Sequence, residues 1–260
     1  MRCWPQFFTD LGCAACGALG LLTDDLTPAS CEADVNGAVT QLILQEISGE
    51  PAFDSDLVSF DTERNTAVLW HCGKAPLSMA DPDFQPRATI HSNRRLPLLL
   101  EFPLKPGVVT LARLSEATGE FRLVVGRCEV LPAPISFGGT SGVVRFERPV
   151  RDVLDTILSQ GLEHHLALTY GDHVEALLAL ERDKVKKWEG RLGDIKTPRE
   201  YAALSREIDI AKKTNDGQTE QGKVLLAAAG EIRSALEARG EALADSEDVA
   251  QAALAELQRK

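Results

Sequence analysis

Residues 105–131, KPGVVTLARLSEATGEFRLVVGRCEVL, decide the fold. Two β-rich runs within this stretch, Gly107–Ser115 and Glu120–Glu129, show the mixed alternation of a barrel or sandwich wall. A third run, Gly142–Glu147, continues the pattern. Upstream, Leu57–Phe60 and Ala67–His71 read as two more strands joined by the polar turn Asp61–Thr66. Ahead of them the spacing predicts a helix over about Gln6–Leu22, closed by the Thr27-Pro28 turn. A second helix is predicted over about Asp34–Ile47, with Val35, Val39, Leu42, Ile43 and Ile47 as its apolar stripe. Downstream come a helix at Val150–Ser159, a short strand at Glu163–Tyr170 and a helix opening on Asp172 as N-cap.

The composition changes near Glu181. All six cysteines, all five histidines and every phenylalanine precede it, whereas Ala, Glu, Lys, Arg and Leu dominate the C-terminal remainder. Val185, Trp188, Leu192 and Ile195 recur at helical steps. Thr197-Pro198 reads as an N-cap with a first-turn proline, and Asn215-Asp216-Gly217 as a closing turn. From Leu225 the positions Leu225, Ala229, Ile232, Leu236, Leu243, Ala250 and Leu257 fit heptad a and d sites, broken at Arg239 and Ser246. The expected architecture is therefore mixed α+β. An α/β segment leads into a mostly antiparallel barrel-like domain over residues 1–180, and an α-helical coiled-coil hairpin occupies 181–260.

At 260 residues the chain has ample apolar core, and its 44% hydrophobic and 26% charged residues are ordinary for a globular protein. A net charge of -11 argues against a general nucleic-acid binder. No run of eighteen or more apolar residues exists to span a membrane. The opening MRCWPQFFTDLGCAACGALGLL is interrupted by Asp10 and lacks a compact basic start, so it reads as a helix in a cytoplasmic protein rather than a signal peptide. The cysteines have no disulfide-framework spacing and fit reduced thiols. Cys13-Ala-Ala-Cys16 lacks the second pair that zinc needs and the preceding strand of a redox motif, so helix packing is its expected role.

Four short stretches are too polar for simple packing: Cys31-Glu32-Ala33-Asp34, Asp54-Ser55-Asp56, Trp70-His71-Cys72-Gly73 and Glu163-His164-His165. Carboxylates and histidines at the ends of strands and helices can converge on one point, and a hard divalent ion such as Mn²⁺ or Mg²⁺ accepts that donor mixture. Each residue also has a plainer reading. Glu32 is equally a first-turn acid favoured by the helix dipole, and Asp56 a turn residue. Neighbouring histidines on a strand project to opposite faces, so at most one of His164 and His165 enters a given site. His91 and His173 have no companion motif and read as structural or surface residues.

From Arg2 to about Leu180 the order of motifs resembles the C-terminal portion of L-fucose/L-arabinose isomerase family proteins. The motifs are RCWPQF at Arg2, CEADVNGAVTQLIL at Cys31, the Asp56 strand, HCGKAP at His71, KPGVVTLARL at Lys105 and GLEHHLALTYGDH at Gly161. The resemblance implies Glu32, Asp56 and His165 as metal ligands, with His71 as a further ligand, Mn²⁺ or another divalent cation as cofactor, and a monosaccharide as substrate. It also implies an aldose–ketose interconversion through an enediol, with Glu32 and Asp56 as base and acid, in a homo-oligomer. In this family large α/β domains precede the RCWP segment, which stands here at Arg2. The KTPREYAALSREIDIAKKTN stretch at Lys196 resembles the coiled-coil hairpin of four-cysteine zinc-ribbon proteins, without the ribbon's cysteines. The second reading is a non-enzymatic interaction protein that assembles through this hairpin and carries a remnant isomerase domain.

Overall fold

A computed structural model describes residues 7–91, 95–117, 119, 121–162, 164–192, 194, 195, 197–213, 215–217 and 234. The chain divides into two compact units, Met1–Leu177 and Leu178–Lys260. In the first, helices α1 (Ala15–Asp24) and α2 (Val35–Ser48) precede strands β1 (Phe53–Asp61), β2 (Thr66–His71), β3 (Arg87–Ile90), β4 (Pro97–Pro103), β5 (Gly107–Ser115), β6 (Arg122–Leu131) and β7 (Thr140–Phe146). Helix α3 (Val150–Gln160), strand β8 (His165–Tyr170) and the start of α4 (Val174–Leu192) complete it.

Alternating residues on β5 and β8 point to opposite faces, and both faces are covered. Val109 and Leu111 of β5, with Leu166 and Leu168 of β8, enter a large apolar cluster shared with Phe53, Leu69, Phe102, Val130, Val144 and Phe146. Each such fully buried side chain contributes about 1.5–3 kcal/mol. The cluster fills a closed antiparallel barrel, because β1 pairs with β2, β2 with β7, β7 with β6, β6 with β5, β5 with β8, and β8 with β1. Closure removes the sheet edges. Val150, Val153 and Ile157 of α3 pack against the same cluster. On the outer face, Ala112 of β5 and Ala167 of β8 meet Leu44, Ile43 and Ile47 of α2.

Several elements differ from the sequence expectation. The N-terminal helix is a π-helical turn over Phe7–Leu11 followed by α1, with Gly12 at a positive φ of 64° between them. The sequence reading places no strand between His71 and Gly107, yet β3 and β4 form a hairpin there, and β4 runs parallel to β7 through Phe102↔Thr140 and Pro103↔Ser141. Helix α2 also sits rotated from its apolar stripe. Val35, Val39 and Leu42 are exposed, while Gly37, Thr40, Gln41, Leu44 and Gln45 are buried. Polar anchoring sets this face. The Leu114 amide donates to Thr40 Oγ1 at 3.0 Å, and Gln41 exchanges two hydrogen bonds with the Ala29 backbone.

In the second unit, Thr197 caps a helix over 198–213, sharing a hydroxyl–carboxylate bond of 2.6 Å with Glu200. Residues 215–217 are helical rather than a turn. Asn and Asp lose only a few tenths of a kcal/mol in a helix, so their preference for turns is weak. The heptad positions from Leu225 onward lie outside the described residues. Among the described residues, no helix is long and apolar enough to cross a membrane.

Candidate functional site

Strand β1 carries Asp54 and Asp56 on one face, since alternate residues share a face. Antiparallel register sets Asp56 opposite His165 and Asp54 opposite Ala167, so His165 shares that face. The face lies under the N-terminus of α2, where Asp34 is the N-cap and accepts from the Gly37 amide at 2.8 Å. His71 ends β2, and its ring centroid is 5.4 Å from that of His165.

Asp34 organises the centre. It accepts from both terminal nitrogens of Arg113, Nη2 at 3.0 Å, and from His165 Nδ1 at 2.9 Å. Burial alone would raise its carboxyl. The His165 and Arg113 hydrogen bonds and the Gly37 amide outweigh that and hold it well below the usual carboxylate range. Because an ionised carboxylate only accepts, His165 carries a proton on Nδ1, and in the neutral ring Nε2 presents a lone pair. That Nε2 is buried, 3.9 Å from Asp56 Oδ1, and neither atom has a hydrogen-bond partner. Burial pushes the Asp56 carboxyl up, against the lowering influence of His165 and His164.

His71 differs in its tautomer. The Cys72 amide donates to its Nδ1 at 2.8 Å, which puts the proton of a neutral ring on Nε2. Burial, then the charges of Lys74, His165 and His164, keep its pKa well below the ordinary histidine value. Binding a cation through Nε2 would require His71 to exchange tautomers and give up the Cys72 amide, whereas His165 bears no such cost. Beneath the cluster, Lys74 donates to Asp54 Oδ2 at 3.0 Å, and both side chains are buried.

Glu32 reaches the centre from an unusual turn. Glu32 and Ala33 both have left-handed backbones, with φ of 59° and 61°. Non-glycine residues there cost on the order of 1–3 kcal/mol each, and such strain concentrates at functional sites. Glu32 accepts from His164 Nε2 at 2.9 Å, and both side chains are more than half exposed. Donor atoms of Asp56, His71 and His165 lie within 4.8 Å of one another, as do those of Glu32, His164 and His165. His165 belongs to both sets. A cavity of about 130 Å³ adjoins them, lined by Asp56, His164, Leu57, Phe60, Ile157, Leu162 and Leu166.

These residues fit a divalent cation. Two buried donors without partners, an imidazole nitrogen and a carboxylate oxygen, would each cost about 1–3 kcal/mol if left so, and a cation accepts both. The Asp34–His165 hydrogen bond fixes the ring so that Nε2 is left free, the arrangement by which a carboxylate orients a histidine for a cation.

Over about 70% of its length the chain is similar to sulfoquinovose isomerases. It is 40% identical over 183 residues to a sulfoquinovose isomerase of Priestia aryabhattai, covering 70% of this chain and 41% of the relative. The sulfoquinovose isomerases of Alkalicoccus urumqiensis and Clostridium sp. (strain MSTE9) are 36% identical over 183 residues and 38% over 181, covering 41% and 40% of those proteins. This chain thus spans about two-fifths of the length of the curated relatives it matches. No family model matches it.

The sequence reading does not include Asp34, Arg113, Asp54 and Lys74 among the site residues. Asp34 enters it as the start of a helix and as the last residue of the polar stretch Cys31–Asp34, with no role assigned. An arginine inside the apolar run GVVTLARLS and a lysine within HCGKAP are the signals that could have marked the others.

Proposed function

We propose that this chain carries the metal centre of an aldose–ketose isomerase, with His165, Asp56 and Glu32 as ligands and His71 as a fourth after tautomer exchange. The observation that carries the reading is the pair of buried, unpartnered donors on Asp56 and His165, the histidine oriented by Asp34, which Arg113 anchors in turn. A bound divalent cation would supply Lewis-acid polarisation of the sugar's carbonyl and hydroxyl oxygens. The chain's own residues do the rest. Glu32 and Asp56 serve as base and acid, one taking a proton from one carbon of the sugar and the other returning one to its neighbour. Asp34 keeps His165 oriented throughout, and Leu57, Phe60 and Leu166 limit water beside Asp56.

The sugar proposed is sulfoquinovose, after the names of the relatives, rather than L-fucose or L-arabinose. The test is incubation of the chain with Mn²⁺ and each of these aldoses, reading ketose formation. The reading predicts conversion of sulfoquinovose that is lost in Asp56→Asn. Conversion that is unaffected by chelation or by Asp56→Asn contradicts it.

A further inference from the structure

Helix α1 lies against the loop after β2 with almost no side chain between the backbones. A Cβ on Gly20 would stand 2.8 Å from the Ala75 carbonyl oxygen and 3.0 Å from that of Lys74. One on Gly17 would stand 2.6 Å from the Leu98 carbonyl oxygen. This close approach presses two thiols together. Cys16 Sγ is 3.3 Å from Cys72 Sγ, and Cys16, Ala14 and Leu99 form a small buried cluster with Cys72 at its edge. Cys16 is fully buried and Cys72 partly accessible. Cys72 Sγ also lies 3.4 Å from His71 Nδ1. The CxxC partner Cys13 lies in the turn before α1, so the contact of Cys16 is made with a residue 56 positions away rather than within its own motif.

We propose that Cys16 and Cys72 are a thiol–disulfide pair, closed by hydrogen peroxide, whose closure draws Cys72 off His71. The Cys72 thiolate attacks one peroxide oxygen, the O–O bond breaks and hydroxide leaves, giving a sulfenic acid. The Cys16 thiol then attacks the Cys72 sulfur, the S–O bond breaks, and the hydroxyl leaves as water with the thiol's proton. Both sulfurs are oxidised by two electrons in total and one peroxide is reduced to two waters. Closure to a bond of about 2.05 Å needs the sulfurs to approach by roughly a further 1.3 Å. That movement shifts Cys72 relative to the His71 ring it now touches. The proposal does not depend on a bound metal.

The experiment treats the reduced full chain with a few equivalents of hydrogen peroxide, blocks remaining thiols with maleimide and maps cross-linked peptides by mass spectrometry. The expected result is a Cys16–Cys72 cross-link that dithiothreitol reverses, retained in Cys13→Ser and lost in Cys16→Ser and Cys72→Ser. In Cys16→Ser, Cys72 should instead be trapped by dimedone, which also reports that the variant is folded enough to keep that thiol accessible. Imidazole nitrogen NMR should show the His71 resonance, assigned by its loss in His71→Gln, shifting on oxidation of the wild type only. Sulfinic acid at Cys72 with Cys16 still reduced overturns the proposal. So does a cross-link through Cys13, or a His71 resonance unmoved in the cross-linked protein.

Discussion

His164 and His165 are adjacent in sequence, yet their surroundings give them different chemistry. His164 is more than half exposed and bonded to Glu32, while His165 is buried between Asp34 and Asp56. With Mn²⁺ at a hundredfold excess over its Kd, linkage gives about 2.7 kcal/mol, which for a unit of this size raises Tm by on the order of 5–10 °C. His165→Ala should abolish that rise and His164→Ala should keep most of it, by differential scanning fluorimetry. Asp34 supplies a second prediction at this scale. Asp34→Ala removes the buried carboxylate partner of Arg113 together with an N-cap, for a loss of about 3–5 kcal/mol in urea unfolding near neutral pH. The folded Asp34 carboxyl lies below its unfolded value, so below about pH 4 the unfolded chain binds a proton that the folded chain refuses. The stability due to Asp34 is present above that pH and falls as pH drops, so the gap between wild type and Asp34→Ala should narrow from pH 5 to pH 2. A gap independent of pH would rule out this role.

At the scale of elements, close packing reverses ordinary propensity. An exposed helical glycine replaced by alanine gains about 1 kcal/mol. Gly20→Ala should instead destabilise, because its Cβ meets two backbone carbonyls at 2.8 and 3.0 Å; a raised Tm would contradict the described seat of α1. On β6, burial pushes the Cys128 thiol up to about 12. It should resist iodoacetamide at pH 8 in the native protein, and its raised value makes the fold lose stability as pH climbs from about 9 towards 12. Prompt native-state alkylation of Cys128 would contradict the barrel's packing. Strands β5 to β8 and the hairpin of β1 and β2 were legible in the sequence as apolar and β-branched runs bounded by polar turns. β4 was not, because Leu98, Leu99 and Leu100 form a continuous apolar run without alternation, and the strand pairs with β7 only through Phe102 and Pro103. The buried face of α2 was illegible for a different reason: its orientation is set by hydrogen bonds of Thr40 and Gln41 to distant backbone, which periodicity does not record. Asp56, His165, Glu32 and His71 stood out as residues too polar for their places. The tautomers that separate His165 from His71 depend on Asp34 and the Cys72 amide, contacts that only the fold creates.

For the whole molecule, barrel closure is what gives the site its rigidity. β1 and β8 are held on both edges, by β2 and β5 respectively, so Asp56 and His165 stay in register while α2 delivers Asp34 above them. All of these residues belong to one compact unit, Met1–Leu177. Cation binding is therefore expected from this chain as it stands, separately from the question of which sugar it turns over. The most direct measurement is anomalous diffraction from crystals of the chain soaked in Mn²⁺. The account predicts an anomalous peak bonded to His165 Nε2 and an Asp56 carboxylate oxygen, with Glu32 turned towards it and Asp34 still on His165 Nδ1. Crystals that show no peak there, with His165 Nε2 and Asp56 satisfied by water or by each other, would contradict it.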